Sequence, residues 1–158
     1  MSGLFKRGRG FSLVELLVVV VMLGILAAVA VPRFSGATDD ARSASTQSTL
    51  AGVRSAIATF RMDAVIRGND PFPSITALTD GSVVKFEVPA NPFTGVGGVQ
   101  SVTQAQAESR TVISPASAGW NYFVDNSATP PLAIFYSNSD DASTVADSDG
   151  DVLGANEL

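Results

Sequence analysis

Cysteine and histidine are both absent from the 158 residues. Without cysteine, neither a disulfide nor a thiolate metal site can staple the fold. Without histidine, the commonest general base and the commonest transition-metal ligand are missing too. No Gly-x-Ser-x-Gly elbow and no phosphate-binding glycine loop is present, so a hydrolase would lack a nucleophile with a base and an oriented third group. The expectation is a protein that is not an enzyme. Positive charge is also scarce, and the formal net charge is −5. With no extended basic tract, nucleic acid is disfavoured as a partner.

What is present begins at the N-terminus. Lys6, Arg7 and Arg9 precede Gly10-Phe11-Ser12-Leu13-Val14-Glu15, and an unbroken apolar run follows from Leu16 to Val31. As a helix, Phe11 to Val31 would extend about 31 Å at 1.5 Å per residue, close to the hydrocarbon thickness of a bilayer. Basic residues flanking an apolar span tend to stay cytoplasmic. The segment therefore reads as a single pass with its N-terminus inside. Glu15 breaks this pattern, because an ionisable group in such a helix costs roughly 2.5–3.5 kcal/mol on insertion scales and calls for a partner.

Three readings compete. Ala28-Val29-Ala30 resembles a secretory cleavage site, but the run is long for a signal, Pro32 follows the cut, and Glu15 lies inside the run. A permanent anchor explains length and orientation and leaves Glu15 without a purpose. Cleavage after Gly10 explains it, because Phe11 then gains a cationic amino group one helical turn from the carboxylate. Between neighbouring chains the same attraction would fix an axial stagger, which is how a buried polar group specifies register.

The stretch Lys6 to Glu15, continued through Gly24 and Pro32 to about Phe34, closely resembles the class III leader of type IV pilins and type II secretion pseudopilins. The resemblance implies cleavage between Gly10 and Phe11 by a membrane prepilin peptidase, N-methylation of Phe11, and transfer from the inner membrane into a homo-oligomeric helical fibre. It makes Glu15 the assembly residue, paired with the amino group of a neighbouring Phe11. It also implies an inner-membrane assembly platform and minor pilins or pseudopilins as partners, and a periplasmic or extracellular fibre as the destination. Pro32 removes a backbone donor and should kink or open the helix between about Ala28 and Pro32. Gly24 is a second weak point, and family fibres commonly melt the segment between the two.

Beyond Pro32, Leu50, Val53, Ile57, Phe60 and Ala64 recur at spacings of three and four, the mark of one apolar helix stripe. Arg67-Gly68-Asn69-Asp70-Pro71 ends the helix with a cation, a glycine and a proline. Strands are expected at 82–88, 119–125 and 132–137, with a long connection from Pro89 to Gly119 that has weak extended character around 111–114. The expected organisation is a leader at 1–10, a membrane or fibre-core helix at 11–32, an amphipathic helix at 33–68 and a globular β domain at 69–158. The fold class is α+β, a long N-terminal helical spine on a small antiparallel sheet, the type IV pilin fold. Phe72-Pro73-Ser74, Val88-Pro89-Ala90-Asn91-Pro92-Phe93 and Gly119-Trp120-Asn121-Tyr122 further resemble the major pseudopilin branch. That resemblance implies a structural subunit of a type II secretion pseudopilus; the alternative is a major or minor pilin of a type IV pilus serving motility, adhesion or DNA uptake.

Asp140, Asp141, Asp147, Asp149 and Asp151 crowd a Ser-rich tail that contains no base. Such carboxylates suit the oxygen shell of Ca2+, although Val152 and Leu158 stand where an EF-hand needs glycine and glutamate. The bland alternative is a solvated acidic terminus. Major pseudopilins place a structural calcium in a loop of this region, which the resemblance carries over to these five aspartates as an expectation.

Overall fold

The computed structural model describes residues 11–158, and residues 31–35 by their backbone. The leader at 1–10, including Gly10, lies outside the described residues. Contacts divide the chain into two compact units, one ending at Thr38 and one running Asp39–Leu158. A single helix, α1 (Leu13–Arg67), contributes to both. Its backbone is helical through Gly24 and Pro32.

The helix stops where the sequence says it should. Gly68 adopts φ 73°; its N–H donates to Val65 O at 3.3 Å, and Asn69 N–H donates to Ala64 O at 2.9 Å. These two bonds satisfy carbonyls that the last turn leaves without intrahelical donors, and glycine takes the left-handed position without a Cβ penalty.

In the second unit the expected stripe is the packing face. Leu50, Val53, Ile57 and Ala64 are buried, while Phe60 is half-buried. The stripe begins earlier than its apolar residues suggest, because Ser43, Thr46 and Thr49 are buried too. Ser43 Oγ donates to Asp39 O at 2.9 Å, and Thr49 Oγ1 donates to Ser45 O at 3.0 Å. By bonding back to the preceding turn, Ser43 and Thr49 are buried without stranding their hydroxyls, whereas Thr46 Oγ1 is buried with no partner among the described residues. These small side chains also leave room for close approach.

The remaining elements are α2 (Ile75–Thr79), β1 (Val99–Ser101), α3 (Gln104–Glu108), β2 (Trp120–Asp125), β3 (Leu132–Ser137), β4 (Ala142–Ala146) and β5 (Val152–Gly154). Strands β1, β2 and β3 form one sheet, and β4 pairs with β5 in a hairpin. β2 and β3 are antiparallel with Trp120 opposite Ser137 and Tyr122 opposite Phe135. β1 joins β2 in parallel, which requires a crossover, and α3 lies in that crossover. The α+β class with a small sheet holds, and the sheet is mixed rather than wholly antiparallel.

Strand alternation then assigns two faces. Trp120, Tyr122 and Phe135 pack with Leu50, Val53 and Ile57 of α1, together with Leu78 and Val84. Tyr136 faces the other way and packs with Val102 and Ala107 of α3. The Trp120 and Phe135 rings stack with centroids 5.6 Å apart.

Three expectations change. Residues 82–88 are not a strand: Val84 alone is fully buried, Ser82 Oγ donates back to Ala77 O at 2.8 Å, and Val83 N–H donates to Ala77 O at 3.3 Å. β-branched content expresses itself as a strand only where a partner edge is in reach, and here the end of α2 takes the donors instead. The long connection from Pro89 to Gly119 contains β1 and α3, whose start is fixed by a reciprocal capping box between Thr103 and Gln106. The acidic tail folds as β4, a turn and β5, and Ser43 Oγ of α1 accepts the N–H of Thr144 at 2.9 Å.

Candidate functional site

Every large apolar side chain from Leu13 to Val29 is exposed, with Leu13 at 81% and Leu26 at 66%. Among the described residues one stretch, Leu13–Ala30 of α1, is long and apolar enough to cross a membrane. A face of this size is strongly unfavourable in water and is consistent with membrane anchoring. It is apolar on all sides, whereas the 39–67 part of α1 carries a single stripe.

Glu15 sits in the first turn of α1, where the partial positive charge of a helix start favours a carboxylate. Ser12 O accepts the N–H groups of Glu15 and Leu16 at 3.1 and 3.2 Å. Phe11 lies just before the helix, four residues from Glu15 and 80% exposed. Glu15 is likewise exposed. Among the described residues nothing lies within 4 Å of where a Cβ on Gly24 would stand, so no contact among them demands glycine there.

The three short motifs of the outer domain, separated in sequence, meet in space. Asn91, fully buried, donates from Nδ2 to Gly119 O at 2.8 Å and to Ser137 Oγ at 2.9 Å, and its own N–H donates to Val96 O at 2.8 Å. Trp120 Nε1 donates to Pro89 O at 2.8 Å, and Tyr122 Oη donates to Pro73 O at 2.8 Å. Burial pushes the Tyr122 hydroxyl pKa well above its ordinary value, so it stays a neutral donor. Gly119 is required by space: a Cβ there would overlap Val96 O and stand 2.8 Å from Asn91 Cβ. Phe72-Pro73-Ser74, Asn91-Pro92 and Gly119-Trp120-Asn121-Tyr122 thus form one lock joining the loop after α1 to the sheet.

A second set of buried amides extends the lock. Asn121 Nδ2 donates to Asn138 Oδ1 at 2.9 Å, Gln100 Nε2 donates to Asn121 Oδ1 at 2.8 Å, and Asn138 Nδ2 reaches Ile113 O and Ala118 O at 2.8 and 2.7 Å. Buried amides paired this completely specify loop positions that apolar packing would leave open. Sequence reading missed Asn121 and Asn138 in this role, because an isolated asparagine reads equally well as a turn residue.

The five aspartates lie in and beside the β4–β5 hairpin. Asp147 Oδ1 accepts the N–H groups of Asp149 and Asp151 at 2.9 and 3.0 Å, which shapes the turn. Asp141 Oδ2 accepts from Ser139 Oγ at 2.8 Å. Among the described residues no three acidic side chains are gathered into a group that could hold a metal. The donor chemistry suits a hard cation, but a six-oxygen shell would require this turn to draw together.

The prokaryotic N-terminal methylation motif matches residues 5–31. The type IV narrow pilus major component of Thermus thermophilus is 54% identical over 52 residues, 33% of this chain and 45% of that protein. The type IV major fimbrial protein of Dichelobacter nodosus is 35% identical over 78 residues, 49% of this chain and 48% of that protein. The type II secretion system core protein G of Pectobacterium carotovorum is 33% identical over 86 residues, 54% of this chain and 52% of that protein. The chain spans about half the length of the curated relatives it matches. No solved structure matches it. The chain carries the prepilin-type methylation motif and is homologous to type IV pilins and to type II secretion core protein G.

Proposed function

We propose that this chain is a structural fibre subunit, the major pseudopilin of a type II secretion pseudopilus, and that it performs no catalysis. It enters the bacterial inner membrane once, N-terminus inside, and is cut after Gly10 by a prepilin peptidase. Phe11 is then methylated, and an assembly platform with minor subunits moves the helix into a fibre core. The observation that carries this reading is the wholly exposed apolar helix Leu13–Ala30 with Glu15 one turn from Phe11. In the bilayer lipid covers that helix; in a fibre the helices of other copies replace the lipid, and Glu15 meets the amino group of a neighbouring Phe11. Gly24 and Pro32 are the proposed points where the helix bends or melts on assembly, because one lacks a side chain and the other a backbone donor.

Intact mass spectrometry of the purified full-length product should find a chain beginning at methyl-Phe11. A start at Val31 would instead establish a secretory signal. Imaging fibres at native expression separates the two destinations: short fibres held in the periplasm support the pseudopilus, and fibres extending from the cell support the type IV pilus alternative.

Calcium is part of the same proposal, as a cation that orders residues 140–151 and steadies a domain without disulfides. The supporting observation is an all-oxygen donor set in an exposed turn. Thermal melts with calcium and then with chelator should differ in midpoint by several degrees. Superimposable curves would remove calcium from the account.

A further inference from the structure

The second unit holds six basic side chains, and their placement is uneven. Arg42 and Arg67 have carboxylate partners, Asp39 at 3.6 Å and Asp63 at 3.0 Å, and Lys85 Nζ donates to Gly81 O at 3.1 Å. The other three, Arg54, Arg61 and Arg110, line one open groove of about 520 Å3 with Phe72, Ile134 and Leu158. Among the described residues Arg61 and Arg110 have no carboxylate within 4 Å, while Arg54 Nη2 donates to a Leu158 oxygen at 2.9 Å. Glu157 also lines the groove, but its Oε2 accepts the N–H of Gly154 at 2.8 Å.

Contacts within the chain hold the three guanidiniums in place. Arg54 Nη2 donates to Phe135 O at 3.2 Å and Leu158 O at 2.9 Å. Arg61 lies over the Phe72 ring at 4.9 Å, and Arg110 lies over Tyr136 at 5.7 Å while donating to Asn156 O at 3.3 Å. Burial first, and the charge of Arg110 second, pull the Arg54 pKa below its ordinary value. The second cause, repulsion from Arg110, is one that an incoming anion would offset. Arg110 also occupies the left-handed position after α3, φ 51°, with its N–H bonded to Ala107 O and Thr111 N–H bonded to Gln106 O. α1 places Gly68 at the equivalent position. The fold thus holds an arginine where glycine is favoured, and that arginine faces the groove.

We infer that this groove is an acidic-peptide site that receives the β4–β5 turn, Asp147–Asp151, of a second copy of the chain. The inference rests on the assembly reading above and supplies it with a lateral contact; it is an alternative to calcium for the carboxylates of Asp149 and Asp151, which a bound cation would neutralise. The turn is its chemical complement: Asp147 Oδ1 braces it through two N–H groups, and Asp149 and Asp151 are exposed with no ion pair to any base among the described residues. A preformed loop loses little freedom on docking, and arginine is the residue suited to holding carboxylates by paired donors. Groove and turn are different patches of one chain, so their contact is heterologous, and a heterologous contact that does not close generates an open helical filament. Loss of Lys6, Arg7 and Arg9 with the leader takes the formal charge from −5 to −8. Copies this acidic repel one another, and pairing the cationic groove with the acidic turn sets a register in which they attract.

The test uses the full chain, whose lack of native cysteine means that every disulfide is an introduced one. Ala58 is exposed and lines the groove, and Ser148 is exposed in the turn. Fibres carrying Ala58→Cys and Ser148→Cys together should give a ladder of linked subunits on oxidation, and either substitution alone should not. Independently, Arg61→Glu or Asp149→Arg alone should lower fibre yield about fivefold or more, and the two together should recover it. Fibres that form normally, give no ladder and ignore both charge reversals overturn the lateral contact and leave the assembly reading standing. Absence of fibres from the unsubstituted chain overturns the assembly reading itself, and this inference with it.

Discussion

Replacing Glu15 by alanine should leave cleavage after Gly10 largely intact and reduce fibres to less than about a tenth of the normal amount, an effect of more than one factor of ten in assembly. Glu15 lies outside the leader and in the first turn of α1, so the peptidase substrate at Gly10 and Phe11 is unchanged. Insertion into the membrane should improve, because an ionisable group costing roughly 2.5–3.5 kcal/mol is removed from the span. The loss falls at the next step. In a fibre the amino group of Phe11 would be surrounded by apolar helices, and deleting the carboxylate leaves that cation without a partner, a defect of about 3–5 kcal/mol per buried pair. Glu15→Gln keeps the shape and hydrogen bonding without the charge and should fail in the same way. Immunoblotting of the processed chain beside quantitative fibre shearing makes the measurement. Normal fibre yield from both variants would sink the proposed role of Glu15.

Replacing Gly119 by alanine should cost about 1–3 kcal/mol or more, a typical range for forcing a methyl group into a packed site. The melting midpoint should fall by more than about 5 °C. Gly119 does not have positive φ, so backbone strain does not supply the effect. The new Cβ would overlap Val96 O and press on Asn91 Cβ, and relief requires the 91–96 turn to back away. That movement strains the Asn91 bonds to Gly119 O and Ser137 Oγ and the Trp120 bond to Pro89 O. Trp120 is the single tryptophan and is fully buried, so its fluorescence reports the transition directly. A melting curve matching that of the unsubstituted chain would show that the turn yields without loss, and that the lock is not needed for stability.

The parts of the fold that are legible in the sequence are those governed by local periodicity. The 3.6-residue recurrence of Leu50, Val53, Ile57 and Ala64 marks the buried face of α1, and Gly68 marks its end, because each signal acts within one or two turns of the chain. The strands at 120–125 and 132–137 are legible for the same reason, with alternation and aromatic content agreeing. Residues 82–88 mislead because β-branched content records what suits a strand, whereas here the end of α2 takes the donors of Ser82 and Val83. The first three strand residues of the sheet, Val99–Ser101, are hidden because a strand this short has too few alternations to stand out, and it exists only through its pairing with β2. Ser43 and Thr46 are not visible as packing residues, since small hydroxyl residues read as solvent-facing until something is laid against them.

The assembly motif shows the same division. Glu15, Phe11 and the apolar run stand in sequential order, so their chemistry is legible in the chain itself. The β4–β5 hairpin is not, because a Ser-rich acidic tail has the composition of a solvated terminus and gains its order from contacts such as Thr144 N–H to Ser43 Oγ, 101 residues apart. The arginine groove is equally invisible, with Arg54 and Arg61 on α1 and Arg110 in the crossover between β1 and β2.

By itself the sequence determined a long helix with two differently patterned parts, a carboxylate one turn from a candidate new N-terminus, and a cysteine-free outer domain built around a short β pair. These follow from hydrophobic spacing, charge and covalent composition, which act over a few residues. Only the tertiary structure decided that three weak motifs form one lock around Asn91 and Gly119, that the sheet is mixed, and that three arginines share a groove while the acids crowd a separate turn. Those outcomes depend on which distant segments touch, and contacts of that range are set by the packing of the whole domain.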